Sequence, residues 1–210
     1  VAGARHLGTG HGENIKVDID LSLINAGVKH GVAAKDQIVL HETVSPDYPG
    51  PGELVANASY LARAGLGIHG VIDAEGYLGW SLGDRKAVFY HTASNGGNTN
   101  TRSIGIELVS RVMIDKPDNL SRWRKWWSRD KQIDKLAQLI AFCAYTEKIP
   151  LVYSGGKTPG ITTHWSVTRA YKVRGGHVDC WPRHEGGYFP VLRVISEAKR
   201  YHAKWYGPAL

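Results

Sequence analysis

The sequence predicts an α/β domain in which a single mixed β-sheet is flanked by helices. Three observations lead there: short β-branched apolar runs such as Gln37-Ile38-Val39-Leu40 and Ser103-Ile104-Gly105-Ile106-Glu107-Leu108-Val109, apolar stripes at helical spacing, and turn residues that separate the two kinds of segment. At 210 residues the chain is long enough for one well-buried core, and no shift in composition divides it into halves. The organisation read from this is an N-terminal arm over residues 1–35 and one domain over residues 36–210.

Residues 1–35 are rich in glycine and histidine, with one strand-like alternation at Val17-Asp18-Ile19-Asp20-Leu21. They read as a loosely structured arm that leaves His6, His11 and His30 in solvent. Gln37–Leu40 suits a buried central strand and delivers His41 at its C-terminal end. After the turn-rich segment Ser45-Pro46-Asp47-Tyr48-Pro49-Gly50-Pro51-Gly52, the residues Leu54, Val55, Ala58, Leu61 and Ala62 recur at helical spacing, and Gly65 or Gly67 can stop that helix.

Gly67–Asp73 and Gly76–Trp80 read as strands joined by Ala74-Glu75-Gly76, with a further run at Ala87-Val88-Phe89-Tyr90-His91. Together they make an antiparallel contribution to the sheet. In Ser103–Val109 the period of two sends Ile104, Ile106 and Leu108 to one face and Gly105, Glu107 and Val109 to the other. A carboxylate within such an apolar strand is costly unless paired, so Glu107 is either a functional group or half of a structural ion pair. Ile133, Leu136, Ala137, Ile140, Cys143 and Ala144 mark an amphipathic helix that Pro150 cannot continue, with Cys143 in the core. Pro190 suits the start of a last helix whose stripe is Val191, Ile195, Ala198, His202 and Trp205.

The chemistry concentrates in Leu40-His41-Glu42-Thr43, Thr163-His164-Trp165 and Gly176-His177-Val178-Asp179-Cys180. They supply two histidines, a carboxylate or thiolate, and a further histidine two residues before that carboxylate. These are the parts of an open catalytic zinc site, in which three protein ligands leave a fourth position for water, and they make a hydrolase the first reading. Asp179 and Cys180 both qualify chemically as the third ligand.

The formal net charge of +7 attracts polyanions without deciding between nucleic acid, a membrane surface and an anionic cell wall. No nucleic-acid-binding motif accompanies it, and the same excess also serves solubility. The apolar runs fall far short of the roughly 18–20 residues that cross a bilayer, so no membrane insertion is expected, and no signal peptide is read at the N-terminus. Two cysteines do not make a disulfide framework.

In order along the chain, Tyr90-His91-Thr92-Ala93, Ser103–Leu108, Thr163-His164 and Gly176-His177-Val178-Asp179 resemble the zinc-dependent N-acetylmuramoyl-L-alanine amidases. That family also contains the peptidoglycan recognition proteins and many phage endolysins. The likeness runs from about His41 to about Phe189, and the Phe189-Pro190 pair after the Gly-His-x-Asp element is most similar to endolysins of phages that infect actinobacteria.

The resemblance implies a peptidoglycan recognition protein-like fold and an enzyme that uses Zn2+ to hydrolyse the amide between N-acetylmuramic acid and the L-alanine of peptidoglycan. It implies His41 and His164 as ligands. The family's third ligand usually follows an assisting Lys, Thr or His by two residues, which from His177 selects Asp179 over Cys180. Glu107 matches the family's glutamate, expected to take a proton from the attacking water and pass it to the leaving nitrogen, and His177 is expected to support the oxyanion. His91 and Asn95 are expected on the substrate side. Such a protein acts on the bacterial cell wall, as a monomer or as one part of a larger lysin; an endolysin is made in the host cytoplasm and released to the wall. The contrasting readings are a non-catalytic peptidoglycan-binding module and a zinc peptidase that cuts within the stem peptide.

Two departures from the family pattern stand out. Trp181 precedes Pro182 where the family usually has proline directly after the ligand pair. A basic, tryptophan-rich insertion at about 111–131 contains Arg122-Trp123-Arg124-Lys125-Trp126-Trp127, and it reads either as a surface that grips anionic glycan or as an inserted helix anchored to the core.

Overall fold

The computed structural model describes residues 5–8, 14–44, 50–92, 98–110, 129–174 and 179–207. In chain order its elements are strands β1 (Arg5–Gly8), β2 (Asn14–Val17) and β3 (Ile19–Asp20), a helical turn α1 (Ser22–Asn25), β4 (Gln37–Val44), α2 (Pro51–Arg63), β5 (Gly70–Ile72) and β6 (Leu78–Trp80). There follow α3 (Thr99–Arg102), β7 (Ser103–Ser110), α4 (Asp130–Glu147), β8 (Gly160–Thr163), α5 (His164–Ala170) and α6 (Val191–Tyr206). Six strands form one mixed sheet in the order β3-β6-β5-β7-β4-β8, and β1 pairs with β2 in a separate antiparallel hairpin. β4 lies between β7 and β8 and runs parallel to both, whereas β5 and β6 pair antiparallel.

Central parallel strands are covered on both faces, and all eight residues of β7 are accordingly buried. On one face Ile38, Leu40, Ile104, Ile106 and Leu108 meet Leu136, Ala137, Ile140 and Cys143 of α4 and Val191, Val194 and Ala198 of α6. On the other face Leu54 and Ala58 of α2 pack with Leu21, Val71 and Val109. The alternation of β7 therefore separates two apolar clusters, each fully buried Leu or Ile side chain contributing about 1.5–3 kcal/mol. Gly105 and Glu107 share the α2 face with Val109.

The helix ends follow local chemistry. α2 starts with Pro51, whose missing N–H costs nothing in the first turn. α4 stops where Lys148 turns left-handed at φ 57 and its N–H bonds to the Ala144 carbonyl, two residues before Pro150. Pro190 occupies the N-cap position of α6. No helix among the described residues is long and apolar enough to cross a membrane.

Two expectations need correction. Residues before 36 carry more regular structure than a loose arm: Leu7, Ile15 and Val17 join the main core, and β3 extends the sheet beside β6. The burial of Ile15 and Val17 against exposed Asn14 and Lys16 is a proper strand alternation, but it spans only four residues, and its partners lie elsewhere in the chain. His6 and His30 are exposed as expected; His11 lies outside the described residues. The run at Ala87–His91 is not a sheet strand. Ala87 makes one isolated bridge to Val32, and Val88 exchanges backbone hydrogen bonds with His30 and Gly31 rather than with β6. Phe89 instead fills a small cluster with Val28 and Ala87, so its apolar character reflects loop burial. Of the tryptophan-rich stretch, residues 111–128 lie outside the described residues, and Asp130 and Lys131 already belong to α4.

β8 begins at Gly160, whose φ of 127° is open to glycine, and a Cβ there would sit 2.6 Å from the Val152 carbonyl oxygen. Gly160→Ala is expected to lower the free energy of unfolding by about 1–3 kcal/mol, read as a lower urea midpoint at unchanged slope. An unchanged midpoint would show that the backbone relaxes freely at this turn.

Candidate active site

β4, β7 and β8 run in the same direction; β8 ends opposite Leu40, whereas β4 and β7 stay paired to Val44 and Ser110, and functional groups gather towards such C-terminal ends of parallel sheets. His41 on β4 stands in register opposite Glu107 on β7. Leu40 pairs with Thr163 at the end of β8, so His164 follows immediately as the first residue of α5. Thr163 caps that helix, its hydroxyl accepting the Ser166 N–H, and this holds the strand-to-helix turn that aims His164. Asp179 arrives from a distant segment and is pinned by its backbone, its carbonyl accepting the Trp165 N–H at 3.1 Å. Its carboxylate Oδ2 lies 3.4 Å from the Glu42 N–H that donates to it.

The three side chains converge. His41 Nδ1 and His164 Nδ1 are 3.1 Å apart; Asp179 Oδ1 and Oδ2 lie 3.1 and 3.2 Å from His164 Nδ1, and Oδ2 lies 3.5 Å from His41 Nδ1. All three residues are buried, with one donor atom of each within 4.8 Å of the others. Donors bound at roughly 2.0–2.2 Å to a tetrahedral ion stand about 3.3–3.6 Å from one another, so the set fits a small divalent metal with little adjustment. Two imidazoles and a carboxylate are also the donors that zinc takes in hydrolytic sites.

The carboxyl groups here are held in opposite states. Burial alone would push Asp179 up, but the charges and hydrogen bonds of His164 and then His41 hold it well below the usual carboxylate range. Burial pushes Glu107 well above that range, and the neighbouring Asp179 and Glu42 carboxylates push it further. No cation among the described residues pairs with Glu107, and its Oε2 has no hydrogen-bond partner there. Among the described residues Glu107 is thus a buried carboxyl without an ion-pair partner, an environment that disfavours its charged form.

The sequence did not single out Glu42 or Tyr188. Glu42 is buried next to His41, its pKa raised to about 7 by burial, and its Oε2 accepts the Tyr188 hydroxyl at 2.8 Å. Adjacent strand residues face opposite ways, so Glu42 belongs to the far side of the sheet from His41. Cys180 is also there: it adopts φ 52° and lies in the main core with Tyr188 and Phe189. Burial, followed by the Glu42, Asp179 and Glu107 carboxylates, raises its thiol pKa. Asp179, and not Cys180, is the residue brought to the two histidines.

His91, expected on the substrate side, lies behind His41 with both ring nitrogens engaged. His41 Nε2 is 2.9 Å from His91 Nδ1, and Ser103 Oγ is 3.0 Å from His91 Nε2. Asn100 fixes the backbone here: its Oδ1 accepts the N–H groups of His91 and Thr92 at 3.0 and 2.8 Å. Nothing in the local pattern beyond polarity marked Asn100 or Ser103. His177 and Asn95 lie outside the described residues. The extra Trp181 before Pro182 stacks on Trp165 of α5 with centroids 5.7 Å apart, and its carbonyl accepts the N–H groups of Tyr188 and Phe189. Trp181 thus braces the segment that carries Asp179.

A family model described as N-acetylmuramoyl-L-alanine amidase matches residues 32–182. Among solved structures, that of the Staphylococcus aureus hydrolase AmiA in complex with its ligand is similar with a TM-score of 0.56 at 18% identity, covering 86% of this chain and 82% of that one. The structure of PlyL gives a TM-score of 0.56 at 13% identity, covering 90% of this chain and 99% of that one. A mutant endolysin from Bacillus subtilis gives 0.50 at 18% identity, with coverage of 84% and 91%. At these identities the likeness to the solved structures is one of fold. No curated protein sequence matches significantly.

A group whose pKa is lowered on folding contributes stability that is fully present above its unfolded value, about 3.9 for Asp, and that is lost as pH falls through the folded value. Metal-free Asp179→Asn is therefore expected to unfold at lower urea than metal-free wild type at pH 7, and to approach it as pH falls below about 3.9. Equal midpoints at pH 7 would mean that the histidines do not hold the carboxylate.

Proposed function

Because the chain belongs to the N-acetylmuramoyl-L-alanine amidase family, we propose that it cleaves the amide between N-acetylmuramic acid and the L-alanine of peptidoglycan as a wall-lytic enzyme of endolysin type, with zinc held by His41 Nδ1, His164 Nδ1 and the Asp179 carboxylate. The observation that carries this reading is the convergence of those buried donors beside the buried Glu107, whose Oε2 has no hydrogen-bond partner among the described residues. Zinc bound there would supply a Lewis acid that polarises the scissile carbonyl and lowers the pKa of water towards about 7.

Glu107 then moves the proton. It takes one from the attacking water and releases it to the departing alanine nitrogen. The apolar strand around it serves both halves of that cycle, because a carboxyl with a raised pKa accepts a proton readily and keeps it until the nitrogen becomes basic. The Asp179 carboxylate, as a ligand, would contribute charge and orientation to the metal rather than proton transfer. His177 is assigned to the oxyanion and Asn95 to the substrate, both on the strength of their sequence motifs.

Digestion of purified peptidoglycan tests the reaction. Zinc-restored protein is expected to release intact stem peptides with a free L-alanine amine, seen by mass spectrometry; fragments cut inside the stem would replace the amidase with a peptidase. Glu107→Gln should keep its zinc while turnover falls about 10²–10⁴-fold, the effect of losing a general acid/base.

The ligand set has its own test. Asp179→Ala should lose metal and hydrolysis together, whereas Cys180→Ser should keep both. In cobalt-substituted protein an intense near-ultraviolet sulfur-to-metal band that disappears in Cys180→Ser would reassign the third ligand.

A further inference from the structure

His91 has no part in the reaction proposed above, yet its side chain sits directly against the metal site. Its ring stands edge-on to that of His41, with centroids 5.0 Å apart and planes at 88°. His41 Nδ1 faces His164 and Asp179, so the lone pair there is the one a metal would take. The proton of the neutral ring must then sit on Nε2. That nitrogen points at His91 Nδ1, 2.9 Å away, which accepts only if His91 carries its own proton on Nε2. His91 Nε2 in turn lies 3.0 Å from Ser103 Oγ. The Ser103 hydroxyl donates to the Thr99 carbonyl at 2.5 Å, which leaves an oxygen lone pair to receive the His91 N–H.

A backbone carbonyl only accepts, so the direction of every proton is set from that far end. We propose that Ser103 and His91 form a positioning relay, anchored on the Thr99 carbonyl, that fixes His41 in the Nε2–H tautomer and leaves Nδ1 as a bare donor for the metal. The proposal rests on the reading of His41 as a ligand.

The fold is arranged around this relay. Ser103, Gly105 and Glu107 occupy positions i, i+2 and i+4 on one face of β7, and each does a different job there. Ser103 receives the His91 N–H. Gly105 leaves room for the ring: a Cβ at that position would lie 2.8 Å from His91 Cγ and 2.6 Å from Ile68 Cδ1. Glu107 faces the reacting groups. Asn100 secures the other end by binding the His91 and Thr92 backbone, and its Nδ2 returns a hydrogen bond to the Thr92 carbonyl at 3.0 Å. His91 and Ser103 are buried, so water does not compete for the bonds between them.

Long-range nitrogen-15 NMR on the zinc-loaded full chain reads the tautomers directly. His41 and His91 should each carry the proton on Nε2; a His91 proton on Nδ1 overturns the relay in the unmutated protein. Ser103→Ala should remove the Nε2–H preference of His91 and raise the zinc dissociation constant about 10–100-fold in competition with a chelator, as loss of an outer partner of a ligating histidine does. A folded Ser103→Ala protein that binds zinc within about twofold of wild type overturns the relay while leaving the ligand assignment intact. If His41→Ala binds zinc as tightly as wild type, the ligand assignment falls, and the relay falls with it.

Discussion

The parallel pairing of β4 with β7 on one side and β8 on the other is the constraint on which the rest of the molecule depends. It places His41 opposite Glu107 and brings the end of β8, with His164 immediately after it, to the same edge. A strand has a period of two, so a slip of one residue in β4 would send His41 into the α4 and α6 core and bring Glu42 to the site. The apolar residues of both faces oppose that slip: Ile38 and Leu40 are fully buried on one side, and Gly105 and Val109 of the neighbouring strand fit the other. The register that buries the core is thus the same register that assembles the site.

Burial then gives similar side chains different chemistry. Asp179 and Glu107 are both buried carboxyls near His41, but one is surrounded by imidazoles and stays ionised, while the other is surrounded by apolar strand and other carboxylates and favours its proton. Environment, more than residue type, sets the charge state that each carboxyl favours. The histidines divide in the same way. His41 and His164 face the carboxylate, His91 stands behind His41, and His69 is further inside the fold, bonded through its two ring nitrogens to the Ala87 carbonyl and the Gly105 N–H.

Much of this was legible in the sequence. The period-two split of Ser103–Val109 identified both faces of β7, and the apolar stripe around Cys143 marked α4, because each pattern was long enough to repeat. The short N-terminal strands were not legible: four residues of alternation acquire meaning only beside their partners. The Ala87–His91 run misled for the opposite reason, since apolar residues buried by a loop look like a strand until the hydrogen bonds are traced.

The sequence by itself named the residues proposed to carry the chemistry: two histidines, an acid-thiol pair, and a glutamate set within an apolar strand. It also determined the longer strands and helices, because hydrophobic periodicity is a local property of the chain. Only the tertiary structure decided between Asp179 and Cys180 as neighbour of the two histidines. That choice turns on a left-handed residue at Cys180, on the backbone bond from Trp165 of α5 and on the Glu42 N–H of β4 that donates to the Asp179 carboxylate, none of which has a local signature. It likewise set His91 against His41, since that placement depends on the missing Cβ of Gly105 and on Asn100 and Ser103, residues that meet His91 only when the loop folds onto β7.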